Sequence, residues 1–201
     1  MGVDPNEFRD LLGMNFKKPA VAIIQNHTVL PKVEGLLQFK PVVDQMQSTH
    51  FYISEGQPVE QRYLARVKSA FRDSKNVHFV EAVHTPEKVR MMLTASDCYV
   101  LASGLDCCPT TVLEASLMCK PVVASRIGGV PETVAENETG WTIPNSLTGE
   151  WVDKLGQILA DERLRTRFGR AGRKWVSERF SWQSVASQLE RVIFNTAAER
   201  T

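Results

Sequence analysis

Six short apolar runs, each parted from the next by a longer amphipathic or turn-rich segment, constrain this chain more than any single motif. They are residues 20–25 (AVAIIQ), 50–54 (HFYIS), 77–82 (VHFVEA), 98–103 (CYVLAS), 121–125 (PVVAS) and 140–144 (GWTIP). Runs of this length, rich in β-branched residues and lacking polar alternation, are what strands covered on both faces look like. The intervening segments predict helices over 34–47, 58–73, 86–95, 109–119 and 131–136. Proline opens four of them, at Pro58, Pro86, Pro109 and Pro131, where a missing N–H has no intrahelical partner to lose. Successive βα units with right-handed crossovers give an α/β fold: a doubly wound, Rossmann-like parallel sheet with helices on both faces and ligands at the carboxyl ends of the strands. From Leu147 onward the pattern is helical only, so a helical C-terminal tail is expected, with no domain boundary over residues 1–201.

Composition removes several classes of function. Hydrophobic residues make up 43% of the chain and charged residues 23%, enough for a packed core and too many apolar groups for a disordered chain. The formal net charge of +1 provides no global field that would recruit nucleic acid. No run of about eighteen apolar residues is present, and the start MGVDPNEFRD lacks a signal-peptide pattern, so the expected location is cytoplasmic. Cys98, Cys107, Cys108 and Cys119 lack paired zinc-ligand spacing and read as reduced thiols. Arg163, Arg165, Arg167, Arg170, Arg173, Lys174 and Arg179 make one tail segment basic. Two readings follow: a solvated face with positives spread around the helix, or peripheral contact with a membrane surface.

The segment DCCPTTVLEA, residues 106–115, carries the chemistry. It places Asp106 before an expected helix and Glu114 about one turn inside it. Pro109, Thr110 and Thr111 form the helix mouth, where free backbone N–H groups and the positive end of the helix dipole favour a phosphate. The plain alternative is a helix cap and a solvated acid, both stabilised by the same dipole. Gly128 and Gly129 read as a turn that needs positive φ or a close backbone approach.

The run VLASGLDCCPTTVLEASLMCKPVVASRIGGVPETVAENETGWTIP resembles the nucleotide-sugar-binding half of retaining GT-B glycosyltransferases of family 4. The likeness lies in an acid-x7-Glu-Ala element, a KPVVAS strand, a GGVPE turn and an ENETG hairpin, in that order. It extends upstream through NVHFVEAV and downstream into an FSW-initiated helix. The resemblance implies a nucleotide diphosphate sugar as donor, a hydroxyl acceptor, and sugar transfer with retention at the anomeric carbon. It also implies no metal or other cofactor, with which the lack of a D-x-D element in clear strand-end context agrees. GVDPNEF looks like the entry into the second domain of such enzymes, so the chain's own N-terminal domain becomes an expected partner.

By position, the resemblance gives Glu114 to the ribose hydroxyls, since a carboxylate can accept from both O–H groups of a diol. It gives Asp106 to the donor sugar, with Asp one methylene shorter than the family's Glu. The diphosphate falls to the N–H groups near Pro109, Thr110 and Thr111, and the border of the base to Val83 and His84. The family's Arg and Lys, six residues apart, correspond to Asn26 and Lys32, so the guanidinium is missing and Lys32 is left as a point charge. His27 follows Asn26 and would supply charge only if protonated. Lys32 and Asp106 are thus the expected catalytic pair, and Asn26 and His27 the expected flank of the donor. Two other readings stay open: a non-hydrolysing nucleotide-sugar epimerase, and a module that binds a nucleotide sugar without turning it over.

Overall fold

The computed structural model describes residues 14–55, 61–81, 83 and 85–198. Six strands are formed: β1 (Ala20–Ile23), β2 (His50–Ser54), β3 (Val77–Val80), β4 (Cys98–Leu101), β5 (Val122–Ser125) and β6 (Gly140–Ile143). They make one sheet in the order β3-β2-β1-β4-β5-β6, and every pairing is parallel. The chain runs outward from β1 to β3 and then returns to pair β4 on the other side of β1. Strand order therefore reverses between β1 and β4, which is where open α/β sheets leave a crevice.

Both faces of the sheet are covered, and side-chain alternation divides the core in two. Ala20, Ala22, Tyr99, Leu101, Val122 and Ala124 pack with Met92, Leu93, Val112 and Leu113 from helices α4 (Pro86–Ala95) and α5 (Thr110–Leu117). Val21, Ile23, Cys98, Val100 and Val123 pack on the other face. There they meet Leu36 of α1 (Leu30–Gln38), Val42 and Val43 of α2 (Lys40–Gln45), Val67 of α3 (Gln61–Phe71), and Trp151 and Leu155 of α7 (Thr148–Ala160). The short α6 (Val130–Thr133) follows β5. The helical tail continues as α8 (Glu162–Arg179) and α9 (Trp182–Ala198).

Among the boundaries that differ from expectation, two have a clear local reason. The single helix expected over 34–47 is two helices, α1 and α2, joined at Phe39. Pro31 and Pro41 each sit in a first turn; Pro41 inside a continuous helix would have lost a backbone bond and clashed with the turn before it. The earlier start puts Lys32 in the first turn of α1. Pro109 is the cap of α5, with ψ 105, and the helix begins at Thr110. The helix expected from Pro58 is described from Gln61; Pro58 lies outside the described residues.

The basic segment also sorts itself. Arg165 donates to Ile158 O at 2.9 Å and to Leu159 O at 2.7 Å, satisfying the end of α7. Arg173 donates to Leu117 O at the end of α5, and Arg179 lies 3.8 Å over the Trp175 ring. The exposed remainder, Arg163, Arg167, Arg170 and Lys174, recurs every three or four residues along one stripe of α8. The exposed positives are therefore gathered on one stripe, in contrast to the spread around the helix that the sequence suggests.

One close approach fixes α1 against the end of β4. A Cβ on Gly35 would lie 2.2 Å from Gly104 N, and Gly104 N–H donates to Pro31 O at 3.0 Å. Gly35→Ala is expected to cost roughly 1–3 kcal/mol, because the obstacle is backbone and cannot rotate away. Gly156→Ala, in α7 with open space around it, should instead stabilise by about 0.5–1 kcal/mol. Urea unfolding of the two variants checks the opposite signs.

Candidate functional site

A cleft of about 310 Å³ opens at the carboxyl ends of β1 and β4, where the strand order reverses. One wall comes from the segment after β1 and the first turn of α1, through Gln25, Asn26 and Lys32. The other comes from the loop after β4 and the start of α5, through Asp106, Cys108, Pro109, Thr110, Thr111 and Glu114. Val83, Val89, Ile24 and Leu101 supply apolar lining. Residues up to 90 positions apart in the chain are thereby brought to one place.

Lys32 and Asp106 meet directly. Lys32 Nζ lies 3.1 Å from Asp106 Oδ2, and both side chains are largely shielded from water. The backbone on each side is held. Gln25 Nε2 donates to Lys32 O at 3.4 Å, and Gly129 N–H donates to Asp106 O at 3.2 Å. Gly128 has φ 47, and a Cβ on Gly129 would stand 1.8 Å from Cys107 O. Both reasons expected for glycine in this turn therefore apply, and together they press the loop after β5 onto the loop that carries Asp106.

At the mouth of α5, the Val112 N–H is taken by Pro109 O at 3.1 Å. The Thr110 and Thr111 N–H groups have no acceptor among the described residues, so two donors at the positive end of the helix face the cleft. Glu114 lies further along the same helix. Its carboxyl has no hydrogen bond or ion pair to a described residue, and burial raises its pKa from 4.5 to about 7. An acid held between its two forms near neutrality is relieved by O–H donors, which favour the ionised state.

The other residues singled out in the sequence fall differently. Asn26 is exposed at the lip of the cleft, and Val83 is buried in its wall. His84 lies outside the described residues. His27 is buried and not among the residues lining the cleft; its Nε2 sits 2.8 Å from Ser54 O on β2. Desolvation lowers its pKa below 6.5, so the ring is neutral at pH 7 and provides no phosphate-binding charge. Lys32 is then the only basic side chain lining the cleft among the described residues.

Two participants were missed in the sequence. Gln25 is buried, lines the cleft, and has an Oε1 with no partner. Tyr99, wholly buried in β4, has its hydroxyl 2.9 Å from Ile24 O and 2.7 Å from Thr111 Oγ1. The available signals were slight: a glutamine closing an apolar strand, and a phenol in the otherwise apolar run CYVL.

Residues 32–175 match the family described as glycosyl transferases group 1. The chain belongs to that family. That family is one of retaining glycosyltransferases that use nucleotide-sugar donors. The chain is 24% identical over 196 residues to N-acetyl-alpha-D-glucosaminyl L-malate synthase of Bacillus anthracis, a match covering 96% of this chain and 49% of that protein. It thus spans about half the length of that relative. Among solved structures, sucrose-phosphate synthase from Thermosynechococcus elongatus superposes with a TM-score of 0.80 at 21% identity, over 98% of this chain and 52% of that one. The C-terminal domain of a glycosyl transferase group 1 family protein from Francisella tularensis is covered completely by 90% of this chain, with a TM-score of 0.73 and 18% identity. Anabaena HepE in complex with UDP-glucose gives 0.77 at 15% identity, over 96% and 56%. At these identities the structural likeness is one of fold. No helix among the described residues is long and apolar enough to cross a membrane.

Two outcomes follow from the site. Asp106→Asn releases Lys32 from its carboxylate, so affinity for inorganic pyrophosphate should rise roughly two- to fivefold, measured by calorimetry. For Glu114, both folded and unfolded states hold the proton below about pH 4.5. Between there and about pH 7 the unfolded carboxyl ionises first, so stability falls with rising pH across that window, by about 3 kcal/mol. Glu114→Gln should remove this part of the decline, read as the difference between the two proteins' urea-unfolding free energies at pH 5 and pH 8.

Proposed function

We propose that this chain is the donor-binding domain of a two-domain retaining glycosyltransferase, taking a nucleotide diphosphate sugar and passing the sugar to a hydroxyl acceptor. The observation that carries the reading is the meeting, in one cleft at the strand reversal, of Lys32, Asp106, the free N–H groups of Thr110 and Thr111, and Glu114. The diphosphate sits at the α5 mouth, where the two N–H groups, the helix dipole and Lys32 attract the same oxygens. Glu114 accepts from the ribose hydroxyls, and Asp106 faces the sugar. The base lies toward Val83, with Asn26 at the open lip. Buried and held by Ser54, His27 acts in this reading only by supporting the loop from beneath.

Charge explains why such a domain would need help to turn over. A departing diphosphate meets one side-chain cation, and Asp106 already partly neutralises it. Positioning and oriented N–H groups supply the rest of the stabilisation, and the chemistry needs no metal in this scheme. The chain spans half the length of its full-coverage relative, so the acceptor site and further contacts to the donor belong in this proposal to the chain's own N-terminal domain. The exposed Trp182, Leu189, Val192, Ile193 and Phe194 on α9 offer that domain an apolar seat. The Lys32–Asp106 pair also supports a second reading, a module that holds a nucleotide sugar without turnover.

A thermal-shift panel of UDP-, GDP- and ADP-sugars should give one clear hit. Glu114→Ala should weaken that ligand about tenfold or more, since it removes a charged acceptor; unchanged affinity by calorimetry would sink the assignment. The chain by itself should bind the donor but transfer little. A new glycosidic bond made by the chain joined to its N-terminal domain supports the transferase, an isomerised free donor the epimerase, and binding without product the module.

A further inference from the structure

The hydroxyl of Tyr99 makes two contacts but has one proton. It lies 2.9 Å from Ile24 O and 2.7 Å from Thr111 Oγ1, so it donates to only one of them. Ile24 is buried just past the end of β1, and its carbonyl has no other donor among the described residues. Leaving it bare would incur the desolvation cost of a buried acceptor. Thr111 has a proton of its own and a hydroxyl free to rotate. Both contacts are satisfied together in one order: Thr111 O–H donates to Tyr99 Oη, and Tyr99 O–H donates to Ile24 O.

This order decides what Thr111 shows the cleft. Its proton points inward, so only its lone pairs remain for a ligand. Phosphate oxygens also only accept, and they are left to the backbone N–H groups of Thr110 and Thr111. What the Thr111 hydroxyl can take is an O–H. Glu114 stands three residues on in α5, hence on the same helical face, and lines the same cleft. Two acceptors one turn apart fit two adjacent hydroxyl groups.

We infer that Thr111 Oγ1 and the Glu114 carboxyl share a vicinal diol, each accepting from one hydroxyl, with Tyr99 as the positioning residue that keeps Thr111 an acceptor. This rests on the donor-binding reading above, in which the diol is the 2′,3′ pair of the nucleotide ribose. The cleft then distinguishes ribose from deoxyribose through a neutral hydroxyl as well as through the acid.

The test is calorimetry of UDP, 2′-deoxy-UDP and 3′-deoxy-UDP on the chain and its variants. Thr111→Val should weaken UDP about five- to tenfold while leaving unchanged the deoxynucleotide that lacks the Thr111-bound hydroxyl. Thr111→Ser should restore binding, and Thr111→Ala gives the same comparison if the valine variant folds poorly. Tyr99→Phe should narrow the ratio of ribose to deoxyribose affinity, which a purely structural role would leave alone. Equal weakening of all three nucleotides by Thr111→Val would mean a phosphate contact and overturn the inference, as would no weakening or an unmoved ratio in Tyr99→Phe. A wild-type chain that binds none of UDP, GDP and ADP overturns the donor-binding reading itself, a separate result.

Discussion

The parallel pairing of β4 with β1 is the constraint on which the rest of the structure depends. Val21, Ala22 and Ile23 register with Cys98, Tyr99 and Val100, although about 77 residues separate them in the chain. Each strand leaving the sheet at its carboxyl end must turn away toward a helix. At this pair the two exits go in opposite directions and leave a gap that no side chain of the core fills. Among the described residues, every charged, amide or hydroxyl side chain lining the cleft sits on one of those exits: Gln25, Asn26 and Lys32 on the first, Asp106, Thr110, Thr111 and Glu114 on the second.

The gap keeps its shape because backbone is pressed against backbone around it. Gly104 donates to Pro31 across one side, and Gly129 donates to Asp106 across the other. Ser125 Oγ accepts from Ser103 N, and Asn145 Nδ2 donates to Ser103 O, tying the same loop to the far strands. Glycine at the contact points removes the Cβ that would hold the segments apart. Tyr99 adds a polar strut between the end of β1 and the first turn of α5. A site made of loops is thus tied by hydrogen bonds and close backbone contacts to the sheet beneath it, which favours a preorganised cleft.

Electrostatically the cleft is frugal. One ammonium, one carboxylate paired with it, one carboxyl titrating near neutrality, and two free N–H groups are the charged and helix-end groups that the described residues bring to the cleft. The helix dipole and the N–H groups carry no counter-charge to neutralise, so their weight in binding grows as the side-chain charge is cancelled. Burial of His27 belongs to the same pattern: an imidazole under the loop is kept neutral and gives support in place of charge.

The sequence alone determined the fold class, the order of the elements, and the identity of the segment at the α5 mouth, because these depend on local periodicity, on proline and on an ordered run of motif residues. It fixed the types Lys32, Asp106 and Glu114 but not their relations. Only the tertiary structure decided that Lys32 and Asp106 neutralise each other, that His27 faces Ser54, that Gln25 lines the cleft and Tyr99 braces its wall from the core, and that three arginines of α8 are spent on carbonyls and a ring while four basic residues stay on one exposed stripe. Such facts depend on distances between residues far apart in the chain and on which groups lose their water, and neither quantity has a local signature. The break at Pro41 was legible in principle, since proline forbids a continuous helix there. Its consequence, a helix start that sets Lys32 opposite Asp106, required the packing of α1 on the end of β4.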